Sequence, residues 1–189
     1  MSKAIVELVD LAEADPSLVI DAAYARSDNF LGRAIYPENR LFLQKPAAER
    51  LMRAQARLRQ QGWGLKIFDA YRPLSAQKIM WDIVRDDRYV ANPAKGSKHN
   101  RGCAVDATLV GPDGREAPMP TPYDEFSRRA HRDFNDLPYE IIENRRILEE
   151  AMAAEGFIPL LEEWWHFDAP EWVNYPALNL NPYKTRFNL

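Results

Sequence analysis

The sequence predicts an α+β fold in which a mainly antiparallel central sheet is flanked by helices. Three observations carry this expectation. Segments with helical spacing of apolar residues and segments that favour strands fall into groups rather than strict alternation. Several strand segments are joined by tight turns, as antiparallel neighbours are. No internal repeat, low-complexity tract or flexible linker interrupts the 189 residues, so one continuous domain over residues 1–189 is expected.

Taken in order, Pro46 to Gln61 places Ala47, Leu51, Ala54 and Leu58 on one helical face, and Gly62 follows as a C-terminal stop. Trp63 to Phe68 alternates around β-favouring residues and should be a strand. It leads into Asp69-Ala70-Tyr71-Arg72-Pro73, where the proline forbids continuation of an inner strand. Leu74 to Val84 reads as a second helix, and Asn92 to Arg101 as a polar loop. Cys103 to Val110 looks like a half-buried strand ending in the reversal Gly111-Pro112-Asp113-Gly114, with a proline-rich loop continuing to Pro122. Tyr139 to Ala154 is a third helix with Ile141, Leu148 and Met152 towards its buried side, closed by Gly156. Phe157 to Leu161 and Trp164 to Phe167 then read as strands separated by Glu162 and Glu163.

Composition narrows the function. With 46% hydrophobic and 28% charged residues, the chain can bury a substantial core without disulfides or a structural metal. A net charge of −3 and an isoelectric point near 5.7 give no general attraction to polyanions, which excludes nucleic acid as an expected partner. Cys103 is the single cysteine, so neither an internal disulfide nor a thiolate zinc site can be built, and metal ligands must be His, Asp or Glu. Glu7, Asp10, Glu13 and Asp15 interrupt what a signal peptide would need as an apolar run, and no window approaches a membrane span. A cytoplasmic location without a membrane partner is the resulting expectation. The sequence assigns no oligomeric state.

The polar residues that fit a core least carry the chemistry. Asp106 sits inside an expected strand beside Val105, Thr108 and Leu109, where a carboxylate needs a positive partner unless it lies on the solvent face. His99 lies in the preceding loop and, taken alone, could be an ordinary hydrogen-bonded histidine. His166, inside EEWWHF, changes the balance. Two imidazoles and a carboxylate make a three-ligand zinc set that leaves a fourth position open for water, as catalysis requires. A nearby carboxylate, Glu162 or Glu163, could then take a proton from that water and deliver it to a leaving amine. Strand parity puts Glu162 on the face of His166; Glu163 reaches that face only through a bend, bulge or strand end.

SKHNRGCAVD and EWWH resemble the SxHxxGxAxD and ExxH signatures of the zinc D-alanyl-D-alanine dipeptidases, the family known from vancomycin resistance. DAAYARSDNF, DAYRP, MPTPYDEF and NRRIL look like further family segments in the family order, so the likeness spans nearly the whole chain. The resemblance implies one Zn²⁺ per chain held by His99, Asp106 and His166, with Glu163 as general base and then general acid. It implies that Arg72 stabilises the oxyanion, with Asp69 holding it in place. It places Asp124 where the dipeptide ammonium is recognised, Ser97 at a substrate contact and Tyr24 at the pocket border. Glu163 is preferred over Glu162 on this ground.

The leading expectation is therefore zinc-dependent hydrolysis of D-Ala-D-Ala or a closely related small dipeptide. The alternatives are a D,D-carboxypeptidase acting on longer cell-wall peptides and a metal- or peptide-binding module without catalysis, which would need neither Glu163 nor Arg72. A cysteine hydrolase is remote, because Cys103 should point away from Asp106 and be buried. His131 is expected as a solvated helix residue.

Overall fold

The computed structural model describes residues 5–87 and 89–184. Before residue 46, where the sequence signals no element, the chain forms β1 (Leu8–Asp10), the one-turn helix α1 (Leu11–Ala14), β2 (Val19–Ile20) and β3 (Phe42–Gln44). Asp10 caps α1 by accepting from the N–H groups of Ala12 and Glu13, which satisfies donors that a helix start leaves open. β3 pairs antiparallel with β1 as a separate two-stranded sheet.

The next helix, α2 (Lys45–Arg59), buries the expected face: Ala47, Leu51, Ala54 and Leu58 are all fully enclosed. Gly62 takes a left-handed φ of +81°, a conformation that glycine adopts without steric cost. β4 (Gly64–Asp69) and α3 (Leu74–Val84) follow where the sequence places them, then β5 (Ala104–Val110), α4 (Tyr139–Ala154), β6 (Ile158–Pro159) and β7 (His166–Asp168). The main sheet has the order β2-β4-β5-β7-β6. Every neighbouring pair is antiparallel except β2 with β4, so the sheet is mixed at one edge and antiparallel elsewhere. This is the α+β architecture that the sequence predicts.

Three local expectations are corrected. β5 is buried along its whole length rather than half-buried, because it is an inner strand with both faces covered. On one side of it the proline-rich segment contributes Tyr123, which stacks on Phe68 at 4.5 Å and donates to Asp106. The last two strands are shorter than expected: Trp164 and Trp165 lie in a turn, and β7 begins only at His166. On α4, Asn144 and Arg145 are buried while Ile141 is half-buried. Arg145 donates to the carbonyls of His131 and Phe134, and Asn144 to that of Pro118, so the helix secures loop backbone that would otherwise lack partners.

Candidate active site

The sheet register assembles the site. Asp106 on β5 stands directly opposite His166 on β7, and Asp69 on β4 stands opposite Asp106 from the other side. An irregularity between Ile67 and Asp69 shifts β4 by one residue, which re-aims Asp69 towards this end of the sheet. His99 comes from a single 3-10 turn, His99–Arg101, just before β5. That turn is locked to the loop after β4: Arg72 N–H donates to the His99 carbonyl, and the Asn100 amide donates to the Arg72 carbonyl.

Gly102 ends the turn at φ +69°. A β-carbon there would lie 3.0 Å from Leu8 Cδ2 and 3.2 Å from the Gln44 nitrogen, and the Gly102 carbonyl accepts from that same nitrogen. Gly102→Ala is expected to destabilise the fold by about 1–3 kcal/mol, read as a lower urea midpoint. A midpoint equal to wild type would show that the turn tolerates a side chain.

Three donor atoms converge. His166 Nδ1 is 3.0 Å from Asp106 Oδ1 and 3.2 Å from His99 Nε2, and His99 Nε2 is 3.4 Å from Asp106 Oδ1. At zinc–ligand distances of roughly 2.0–2.1 Å, tetrahedral donors stand about 3.3 Å apart. The triangle therefore fits a zinc ion with one coordination position left over, and the residues present fit the metal. Charge points the same way. Burial works against an ionised Asp106, yet the two imidazoles hold its carboxyl far below the usual range. Burial also opposes a charged His166, but Asp106 and Asp168 outweigh it and lift the imidazole to about 10. A site so eager for positive charge suits a divalent cation.

Each imidazole is held from its far side. His99 Nδ1 lies 2.7 Å from the Ala70 carbonyl, and His166 Nε2 lies 2.9 Å from Asp168 Oδ1. Tyr123 donates to the second oxygen of Asp106 at 2.9 Å. Asp168 and Tyr123 are not singled out by sequence reasoning. Asp168 had a legible signal, since two residues apart on a strand share a face.

Glu163 is not in a strand, so strand parity does not govern it. It opens a turn in which His166 N–H donates to the Glu163 carbonyl, and this brings Glu163 Oε2 within 3.8 Å of His166 Nδ1. Arg132 clamps the turn at both ends, donating to the carbonyls of Leu160 and His166 while its guanidinium lies 4.4 Å over the Phe167 ring. Burial raises the Glu163 carboxyl above the ordinary glutamate range, with His166 pulling the other way. Glu162 is exposed and faces a neighbouring depression with Ser127 and His131. His131 itself follows a 3-10 turn and is half-buried, not a solvated helix residue.

Arg72 is buried and donates Nε–H and an Nη2–H to Asp69, and an Nη1–H to Gln77. Asp69 is further tied by the Tyr36 hydroxyl. Three of the five guanidinium hydrogens are thus committed, leaving two for a ligand. Below the guanidinium, 5.3 Å away, lies the ring of Tyr24, whose hydroxyl donates to Asp124 at 2.8 Å. Burial and the Asp106 charge push the Asp124 carboxyl well up, with Arg72 pulling the other way, and no side-chain ion pair reaches it among the described residues. Ser97 Oγ accepts from His99 N–H.

A single cavity of about 360 Å³ is lined by Tyr24, Arg72, Ser97 and Asp124 together with the three metal-facing residues and Glu163. That is near the small end of ligand sites, which span roughly 300–1,000 Å³. Trp165 forms part of the wall, whereas Trp164 turns away and donates its indole N–H to Thr121. Cys103 is buried outside the lining, and burial raises its thiol to about 12, so it has no nucleophilic part.

Comparison with known proteins gives concordant findings. A family model described as D-ala-D-ala dipeptidase matches residues 4–184. The chain is 39% identical to a D-alanyl-D-alanine dipeptidase of Escherichia coli, covering 91% of this chain and 89% of that protein. It is 33% identical to one of Enterococcus faecium, covering 78% and 83%. Among solved structures, it is similar to a vancomycin-resistance D,D-pentapeptidase in complex with Zn(II), with a TM-score of 0.48 and 18% identity over 68% of this chain and 73% of the other. The expected cytoplasmic location is corrected. It is withdrawn, because an acidic N-terminal stretch and the lack of a membrane-spanning helix among the described residues assign no compartment. The observation behind the expectation establishes only that no helix among the described residues is long and apolar enough to cross a membrane.

Proposed function

The chain belongs to the D-ala-D-ala dipeptidase family of peptidases, and from that premise we propose how its own residues perform the reaction. It is a zinc metallopeptidase acting on D-Ala-D-Ala-type dipeptides. The observation that carries the assignment of roles is the convergence of His99 Nε2, Asp106 Oδ1 and His166 Nδ1 at tetrahedral separations, with Glu163 Oε2 3.8 Å from His166 Nδ1.

Bound by these three residues, zinc would supply Lewis acidity towards the scissile carbonyl and the attacking water. Glu163 takes the water's proton and returns it to the departing amine; its raised proton affinity brings it closer to the neutral range where one group can serve both steps. Arg72 turns its uncommitted N–H groups to the oxygen that becomes negative, and Asp69, Gln77 and Tyr36 keep the guanidinium and its counter-ion from reorganising. Asp124, without a side-chain ion pair among the described residues, receives the substrate ammonium, with Tyr24 orienting it. Ser97, which also lines the cavity, contributes a polar contact.

A substrate panel tests this. Zinc-loaded protein is expected to cleave D-Ala-D-Ala and to cleave its N-acetyl derivative at least about 100-fold more slowly, because acetylation leaves Asp124 without its charge partner. Equal rates on both would favour a carboxypeptidase. Activity that survives chelation, or that thiol alkylation alone removes, would sink the metallopeptidase reading.

A further inference from the structure

The far edge of the His166 ring meets a charged network that the reaction above does not use. Asp168, buried at 3% exposure, places Oδ1 2.9 Å from His166 Nε2. Its other oxygen accepts from Lys98 Nζ at 2.6 Å, and the Lys98 ammonium lies 5.5 Å over the Trp172 ring. Lys98 immediately precedes the metal-facing His99. Strand geometry explains the first contact, since His166 and Asp168 are two apart on β7.

An ionised carboxylate can only accept, so the nitrogen facing Asp168 carries a hydrogen; with zinc in the donor triangle displacing the proton shared with Asp106, Nε2 would stay protonated and Nδ1 would offer its lone pair. Nδ1 is the atom in the donor triangle. His99 shows the opposite choice: its Nδ1 is taken by the Ala70 carbonyl and its Nε2 faces the triangle. The two rings thus present different nitrogens, each selected by an acceptor behind it. For His99 the acceptor is a neutral carbonyl; for His166 it is a charged side chain, which also makes the ligating nitrogen more basic.

We propose that Asp168, held by Lys98, is the positioning residue that fixes His166 as a zinc ligand through Nδ1. Lys98 makes the arrangement electrostatically tolerable. Asp106, Glu163 and Asp168 bring three carboxylates to one buried imidazole, and a divalent ion together with one ammonium balances them.

The inference rests on the zinc assignment but not on the substrate, so its test needs no turnover. Zinc affinity is measured by chelator competition on the full chain, and the ring nitrogens of His166 are read by ¹⁵N NMR of the zinc-loaded protein. Wild type is expected to show Nδ1 bound and a slowly exchanging Nε2 hydrogen. D168A should bind zinc about 10–100-fold more weakly and lose that slow exchange. D168N keeps volume and an acceptor oxygen without charge, and should lose about threefold or more. Lys98→Met keeps the stem over Trp172 and should also weaken zinc. A folded D168A with wild-type affinity and an unaltered nitrogen pattern overturns the proposal; if D168A does not fold, the same result in D168N does. Unchanged affinity in K98M overturns the part given to Lys98. A failed zinc assignment looks different: the wild-type chain itself would not bind the metal.

Discussion

Replacing Glu163 with glutamine is expected to lower kcat on D-Ala-D-Ala by at least about 10³-fold while leaving one zinc per chain, since proton transfer by a positioned side chain contributes about 10²–10⁴ and Glu163 is assigned two such transfers. The amide matches the carboxylate in shape but can neither accept the water's proton nor deliver one to the amine. It also relieves a buried charge whose proton affinity burial already raises, so the fold should not suffer. The matching Glu162→Gln change, on an exposed side chain directed to the neighbouring depression, should leave kcat within about twofold, as surface changes do. Steady-state kinetics with metal analysis on both variants decides the matter. A large loss in the Glu162 variant with a small one in the Glu163 variant would reverse the assignment.

Arg72→Met should have two separable consequences. The reaction loses the donors aimed at the developing negative oxygen, a loss of about 10²–10³ in kcat. The fold loses the partner of Asp69, which is completely buried; leaving such a carboxylate uncompensated costs about 3–5 kcal/mol. The double change Asp69→Asn with Arg72→Met removes the orphaned charge, so it should recover most of the stability in urea unfolding and none of the rate. Arg72→Lys should not restore activity, because one ammonium cannot reproduce two bonds to Asp69, one to Gln77 and still face the substrate. Recovery of rate in the double variant would remove Arg72 from the chemistry and leave it a structural ion pair.

Much of the fold was legible because its signals are local. α2, α3 and α4 follow from apolar spacing within a few turns, and the bounds of α3 and α4 match the expected segments. The turn after β7's predecessor is another matter. Trp164 and Trp165 have strong β propensity, yet Arg132, reaching from 28 and 34 residues away, binds the carbonyls of Leu160 and His166 and holds the intervening residues in a turn. That non-local clamp is what turns Glu163, rather than Glu162, towards the donor triangle. The parallel pairing of β2, the complete burial of β5 and the contact of Tyr123 with Asp106 likewise depend on partners distant in sequence.

By itself, the sequence determined the ligand chemistry: with one cysteine and three histidines, a metal could be held only by imidazole and carboxylate, and His99, Asp106 and His166 stand in motifs that suit it. Tertiary structure alone decided which atoms face inward. His99 and His166 are 67 positions apart, yet their ring nitrogens approach to 3.2 Å, and no spacing rule reaches so far. Side-chain identity is carried residue by residue, whereas ring orientation, the choice between neighbouring glutamates and the outer partner Asp168 follow from hydrogen bonds that exist only after strands β5 and β7 have paired.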